Sequence, residues 1–247
     1  MPASIDLRGK AALVTGGVRR LGRASALALA EAGADLLIHT SQAPEQAATT
    51  LAELQAHGVR AHVVQGDLAI PADCERIVDR AVELYGHLDI LVNNAGIWGP
   101  TPIDQPLDLE RWDALFHTNL RGVFLVTQRA AVALRSAHGA VINIADVGVY
   151  KPFGDHPAYL ATKGGIVALT TALARDLAPQ VRVNAVAPGP VLMPDDWTPE
   201  QSAGAARGTL LKRIGRAEDI GQAVRFLASA EYITGVILPV DGGYLRA

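Results

Sequence analysis

The sequence predicts an α/β fold, a doubly wound parallel sheet with helices on both faces. Two observations carry this. Short apolar runs alternate with longer amphipathic runs along the chain, as expected of βα units joined by right-handed crossovers. The central short runs are apolar without alternation, as are strands covered on both faces. With 247 residues, 49% of them hydrophobic, the chain can bury one sizeable core, and 1–247 is read as a single domain.

The elements follow in order. AALVTG (11–16) reads as a buried strand and LGRASALALAEAG (21–33) as the helix after it. ADLLIHT (34–40) is a second strand, followed by a helix over about 44–57. RAHVVQGD (60–67) is a third, followed by a helix from Pro71 to Tyr85. LDILVNNAG (88–96) is a fourth, and 108–134 reads as one long helix. GAVINIA (139–145) is a fifth strand, with another long helix over 157–178. VRVNAVAPG (181–189) is a sixth. Helices near 199–211 and 217–229 precede a last strand, TGVILPVDGG (234–243).

Charge and composition exclude several classes of function. Lys and Arg number 22 against 25 Asp and Glu, a net −3, which leaves no basic footprint for nucleic acid or an anionic membrane. Cys74 is the single cysteine and the seven histidines form no ligand pattern, so neither a disulfide nor a metal site is expected. No apolar run reaches the roughly 18 residues of a membrane span. The first residues lack the pattern of a secretory signal. The expectation is a cytoplasmic protein that acts on a small molecule.

TGGVRRLGRA (15–24) follows the first strand and opens the first helix. Small residues there let backbone approach a pyrophosphate, and the helix N-terminus favours the anion. Gly16, Arg19, Arg20 and Leu21 are therefore placed at a dinucleotide. A site that prefers NAD carries an acid at the end of the second strand, on the ribose 2′-hydroxyl. Here that strand ends His39-Thr40-Ser41-Gln42, with no acid before Glu45. Arg19 and Arg20 could supply countercharge to a 2′-phosphate, so the expected cofactor is NADPH/NADP+. Asp67 and Leu68, after the third strand, are placed at the adenine. Asn93, Ala95 and Gly96 end the fourth, beside the crevice; the same residue types also suit ordinary turns.

Together these residues resemble the short-chain dehydrogenase/reductase family. The marks are TGGVRRLG, the NNAG run, Asn119 in HTNLRG, Tyr159-x-x-x-Lys163, and Pro188-Gly189, with ITGVILPVDGG near the end. The resemblance covers nearly the whole chain. It implies a seven-stranded Rossmann sheet, a nicotinamide cofactor touched also by Tyr159, Lys163, Pro188, Gly189 and Val191, and a homotetramer built through the long helices. It also implies a substrate lid over about 190–211, with Trp197 as a substrate contact. Three positions depart from the family pattern. Arg20 replaces the usual second loop glycine, Asp146 the usual catalytic serine, and Met193 a threonine that often binds the nicotinamide amide. The TG-x-x-x-R-L-G loop, Asp146 thirteen residues before Tyr159, and Trp98 after NNAG look like the pteridine reductase branch.

Tyr159 and Lys163 lie four apart on one helix and share a face. The ammonium is expected to lower the tyrosine pKa and tune it as a general acid. The family adds Asn119, holding a water that links Lys163 to solvent. Asp146 is the discordant member. A ketone oxygen gains negative charge as hydride adds and wants donors, whereas a carboxylate stabilises the iminium of a C=N bond. A protonated Asp146 would instead mimic serine. It could also simply face water, with Ser136 or another hydroxyl in its place. Trp98 either stacks on a planar ring or packs into the core. The leading expectation is an NADPH-dependent reductase of a pterin or folate, with Asp146, Tyr159, Trp98 and Trp197 around the substrate. The alternative is a reductase of a ketone such as a 3-oxoacyl thioester or sugar. A non-catalytic NADP(H) sensor comes last, because Asn119, Tyr159 and Lys163 are all present.

Overall fold

The computed structural model describes residues 5–42, 45–193 and 197–247. Seven strands form one parallel sheet: β1 (Ala11–Val14), β2 (Asp35–Thr40), β3 (Ala61–Gln65), β4 (Ile90–Asn93), β5 (Ala140–Ile144), β6 (Arg182–Pro188) and β7 (Ile237–Val240). Their order is β3-β2-β1-β4-β5-β6-β7, a Rossmann arrangement. The order reverses between β1 and β4, which pair through Ala12–Ile90, Leu13–Leu91 and Val14–Val92. A crevice opens at the carboxyl ends of strands beside such a reversal.

The helices are α1 (Arg20–Glu31), α2 (Glu45–Gln55), α3 (Pro71–Tyr85), α4 (Leu109–Phe116), α5 (Gly122–Ala137), α6 (Pro157–Leu177), α7 (Pro199–Arg207) and α8 (Ala217–Ser229). The two-residue period of the strands divides the core in two. Ala12 and Val14 of β1 pack with Leu36 and Ile38 of β2 against α1, α2 and α8. Ala11 and Leu13 pack with Leu37 against α3, α5 and α6. Leu13, Leu36, Leu37, Ile38, Leu91 and Ile142 are fully buried, each stabilising the fold by about 1.5–3 kcal/mol.

One expected element is different. The single long helix over 108–134 is broken by a π turn at His117–Arg121, flanked by α4 and α5. Gly122 follows the turn and lies so close to the β3–α3 connection that a Cβ would stand 2.7 Å from Leu68 O. The wider turn projects Asn119, whose amide serves both backbone groups of Ile97: Oδ1 accepts from its N–H at 2.8 Å and Nδ2 donates to its carbonyl at 2.9 Å. The apolar periodicity runs on through the break, so the sequence gives no warning of it.

The start of β6 carries a clasp. Arg182 Nη1 donates to Leu227 O at 2.7 Å and Nη2 to Ala228 O at 2.6 Å. A cation thus closes the C-terminal carbonyls of α8, where the helix dipole favours it. Arg182→Met keeps the aliphatic stem but leaves these carbonyls without their donor. We expect a loss of about 2–4 kcal/mol, read as a lower denaturant midpoint; an unchanged midpoint would contradict it.

Candidate active site

The crevice is built from the β1–α1 loop upward. Gly16 has φ +61°, and Arg20, where the sequence lacks the usual glycine, takes φ +51°. Only glycine adopts that left-handed region at no steric cost. Gly22 is required for another reason: a Cβ there would stand 2.0 Å from Gly16 O, so α1 sits hard against the loop. The helix N-terminus has no side-chain cap and no acid in its first turn. An uncapped, acid-free N-terminus beside two arginines suits a diphosphate, so the residues present fit a dinucleotide. Thr15 and Asn94 lock the loop to the end of β4. Thr15 Oγ1 accepts from Asn94 N and Ala95 N at 3.0 Å. Asn94 Nδ2 donates to Thr15 O at 2.9 Å and Gly16 O at 3.0 Å.

Several expected contacts fall elsewhere. The Asn93 side chain turns into the core, donating to Thr127 Oγ1 and Asn143 Oδ1, both at 2.9 Å. Neighbours on a strand point to opposite faces, which is why Asn94, the adjacent residue, serves the loop. Leu68 and Val191 likewise bury their side chains. The Arg20 guanidinium donates to Leu192 O, across the crevice from the end of β2, while Arg19 is exposed at the start of α1. Asp67 is exposed and its Oδ1 accepts from Ala69 N at 2.8 Å, a local turn. Thr40 is buried and Ser41 exposed at the end of β2. Pro188 ends β6, and Gly189 N donates to Val240 O at 3.1 Å, so β6 and β7 flank the other lip.

Asp146, Tyr159 and Lys163 converge beyond the end of β5. Asp146 caps the short turn Val147–Val149: its Oδ1 accepts from Gly148 N at 2.7 Å. Its Oδ2 accepts from the Tyr159 hydroxyl at 2.9 Å. Lys163 Nζ donates to Ile144 O at 2.8 Å and lies 5.7 Å from the Tyr159 ring centre. Asn119 Nδ2 reaches Thr162 Oγ1 at 3.4 Å, which ties the π turn to α6. Ser136, the alternative hydroxyl, is exposed on α5 and donates to Val132 O; it takes no part.

The expected lowering of the Tyr159 pKa is reversed. Burial pushes the phenol well above its ordinary value, and the Asp146 charge and its hydrogen bond push it further. Burial also brings the Lys163 ammonium down to about 8, partly opposed by Asp146. Desolvation outweighs the tyrosine–lysine attraction because both groups are nearly sealed, at 9% and 6% exposure.

Trp98 is half exposed and so is not a core residue. Its ring meets Tyr159 edge-on at 4.6 Å and lies 4.0 Å from the His156 ring and 5.3 Å from Phe153. His156 and Phe153 escaped sequence reading, because only the turn into α6 brings them back over Trp98. Trp197 is exposed, immediately before the Thr198 cap of α7. Of the expected lid, residues 194–196 lie outside the described residues. No helix among the described residues is long and apolar enough to cross a membrane. Also among them, no cluster of three or more His, Cys, Asp or Glu could hold a metal ion.

A family model described as enoyl-(acyl carrier protein) reductase matches residues 17–245. The 3-oxoacyl-[acyl-carrier-protein] reductase FabG of Staphylococcus aureus is 38% identical over 240 residues, covering 95% of this chain and 97% of that protein. A blue fluorescent protein from a metagenomic library, solved in complex with NADPH, superposes with TM-score 0.91 at 34% identity over 98% of this chain and all of that one. Carveol dehydrogenase from Mycobacterium avium, solved in complex with NAD, gives TM-score 0.90 at 29% identity over 98% and 99%. None of these three is named for a pterin, and FabG is named for the ketone class given second place above. The pteridine branch expected from the loop, Asp146 and Trp98 is thus left without support from these relatives. The full-length match to these reductases and dehydrogenases, on this fold, makes the chain a member of the short-chain dehydrogenase/reductase family of oxidoreductases.

Proposed function

We propose that the chain is an NADPH-dependent reductase of a small ketone, with a 3-oxoacyl thioester as the first substrate class to test. The observation that carries this is the buried Tyr159 hydroxyl, on one helix face with buried Lys163, beside the β1/β4 reversal. A bound nicotinamide dinucleotide would supply hydride. Gly16, Arg19, Leu21 and Gly96 would hold it on one lip, and Pro188 and Gly189 on the other. Tyr159 keeps its proton until a substrate oxygen becomes basic enough to take it, then delivers it. Lys163 stabilises the resulting phenolate, and Asn119 fixes the Ile97 backbone beside them. A ketone requires Asp146 to act in its acid form, donating as the usual serine does. About 190–211 would cover the substrate, with Trp197 on its inner side. The apolar groove of Phe116, Leu120, Phe124, Ala168 and Ala172 is a face that association into a homotetramer would cover.

A second reading is favoured by one observation. Both Asp146 oxygens accept hydrogen bonds, from Gly148 N and Tyr159 Oη, which is carboxylate behaviour. A carboxylate suits reduction of a cyclic C=N bond, as in a dihydropterin, and the Trp98 ring supplies a flat neighbour. NADPH oxidation with a 3-oxoacyl thioester and with a dihydropterin, side by side, decides between the two. Turnover of the thioester alone is expected; turnover of the dihydropterin alone would overturn the first reading.

The cofactor preference has its own test. No acid ends β2, and Arg19 is an exposed cation where α1 begins. We expect kcat/KM to favour NADPH over NADH, and Arg19→Ala to shrink that preference by about tenfold, the worth of one charge-assisted contact. A wild-type preference for NADH would contradict it.

A further inference from the structure

His39 is a buried titratable residue with no part in the proposed chemistry. It lies near the end of β2 and is 2% exposed. Its ring spans three neighbouring strand ends. Nδ1 lies 3.2 Å from Gly16 N on the β1–α1 loop, and Nε2 lies 3.0 Å from Gly66 O after β3. These partners dictate the tautomer. Gly16 N–H can only donate, so Nδ1 must be the bare acceptor; the Gly66 carbonyl can only accept, so Nε2 must carry the proton. The neutral ring satisfies both. An imidazolium would turn an N–H toward the Gly16 N–H and lose that bond. The backbone completes the clasp, with Gly17 N donating to His39 O at 2.9 Å and Gly66 N to Thr40 O at 3.0 Å.

We propose that His39 is a pH-sensitive clasp: its neutral ring holds the glycine loop in the shape a dinucleotide needs, and protonation loosens the loop and weakens the cofactor. This rests on the reading of the crevice as a dinucleotide site. His39 is a positioning residue, acting through Gly16. The charged groups that face the ring are Asp67 after β3, and Asp73 and Arg76 on α3; the carboxylates favour protonation and the arginine opposes it. From the β1–α1 loop it meets the Gly16 N–H. Burial outweighs the carboxylates and holds the ring below its ordinary value of 6.5. The sign follows. Between the lowered folded value and 6.5, the unfolded chain binds more protons than the folded one. Stability therefore rises with pH through that window and is lost as pH falls through it.

The test is calorimetric binding of NADP+ and of NAD+ to the full chain, from about pH 7.5 down to the lowest pH at which the chain stays folded. Wild type is compared with His39→Asn, whose carboxamide oxygen can accept from Gly16 N–H and does not titrate. The 2′-phosphate of NADP+ titrates near pH 6, but equally against both proteins, and NAD+ lacks it. The slope is the readout, whatever the affinity at neutral pH. Wild type should weaken by about tenfold per pH unit below the folded pKa, in excess of the variant and with both dinucleotides. Circular dichroism at each pH separates this from global unfolding. Equal slopes would overturn the clasp and leave the dinucleotide reading standing; absence of binding at every pH would sink both. Should His39→Asn not fold, the 15N shifts of the wild-type ring decide. A bare Nδ1 with a protonated Nε2 at neutral pH is expected, and an imidazolium or the opposite tautomer overturns the proposal.

Discussion

Tyr159→Phe should lower kcat by about 10³-fold, within the range of a lost general acid, while the KM for the dinucleotide moves far less. The change removes one oxygen from a sealed site. The phenyl ring keeps the edge-on contact with Trp98 at 4.6 Å, so packing survives. What is lost is the proton held on the hydroxyl, 2.9 Å from Asp146 Oδ2. Among the described residues, Thr162 Oγ1 is committed to Tyr159 O at 2.7 Å and Ser136 lies out on α5, so neither hydroxyl is poised to replace it. A variant that keeps a tenth or more of wild-type kcat would mean that the proton comes from elsewhere. The wild-type pH profile carries a companion signature. Lys163 loses its proton at about 8, and the protonated form is the one that stabilises a phenolate. Activity should therefore hold below that pH and fall above it, with Tyr159 still protonated there because its own pKa is raised.

The reversed tyrosine shift shows where sequence reading stops. Spacing places Tyr159 and Lys163 on one helix face, and they are there. Spacing says nothing of how dry that face is, and dryness sets the sign of the shift. The seven strands were legible because unbroken apolar runs such as DILV and AVINI mark strands covered on both sides. The π turn at Asn119 was not, because its cause is tertiary: the close approach of Gly122 to Leu68 O and the Ile97 backbone that Asn119 serves. NNAG does not state which way its two asparagines turn: the Asn93 amide goes to the core and the Asn94 amide to the carbonyls of Thr15 and Gly16. Arg20 shows the converse. The residue was legible as a departure from the family loop, yet its guanidinium goes to Leu192 O, a contact set by a segment some 170 residues away.

Asp146 is where substitution should separate the two substrate readings most sharply. For a ketone, Asp146→Ala should lower kcat/KM by about 10²–10³-fold, the usual cost of one donor to a developing oxyanion. Asp146→Ser and Asp146→Asn should recover most of it. Serine can still accept from Gly148 N–H, as short polar residues do at such caps, so the turn that carries residue 146 should persist. The physical requirement is a proton on the acid. An ionised carboxylate about 4 Å from a developing alkoxide, at an effective dielectric of about 20, opposes it by about 4 kcal/mol, or about three decades of rate. For a cyclic imine the logic inverts. The negative charge itself stabilises the iminium, so neutral serine or asparagine should do no better than alanine. Recovery by the neutral donors on a 3-oxoacyl thioester would establish Asp146 as the stand-in for serine. Failure of all three variants, together with dihydropterin turnover that requires the native acid, would move the assignment to C=N reduction and identify the carboxylate charge as its determinant.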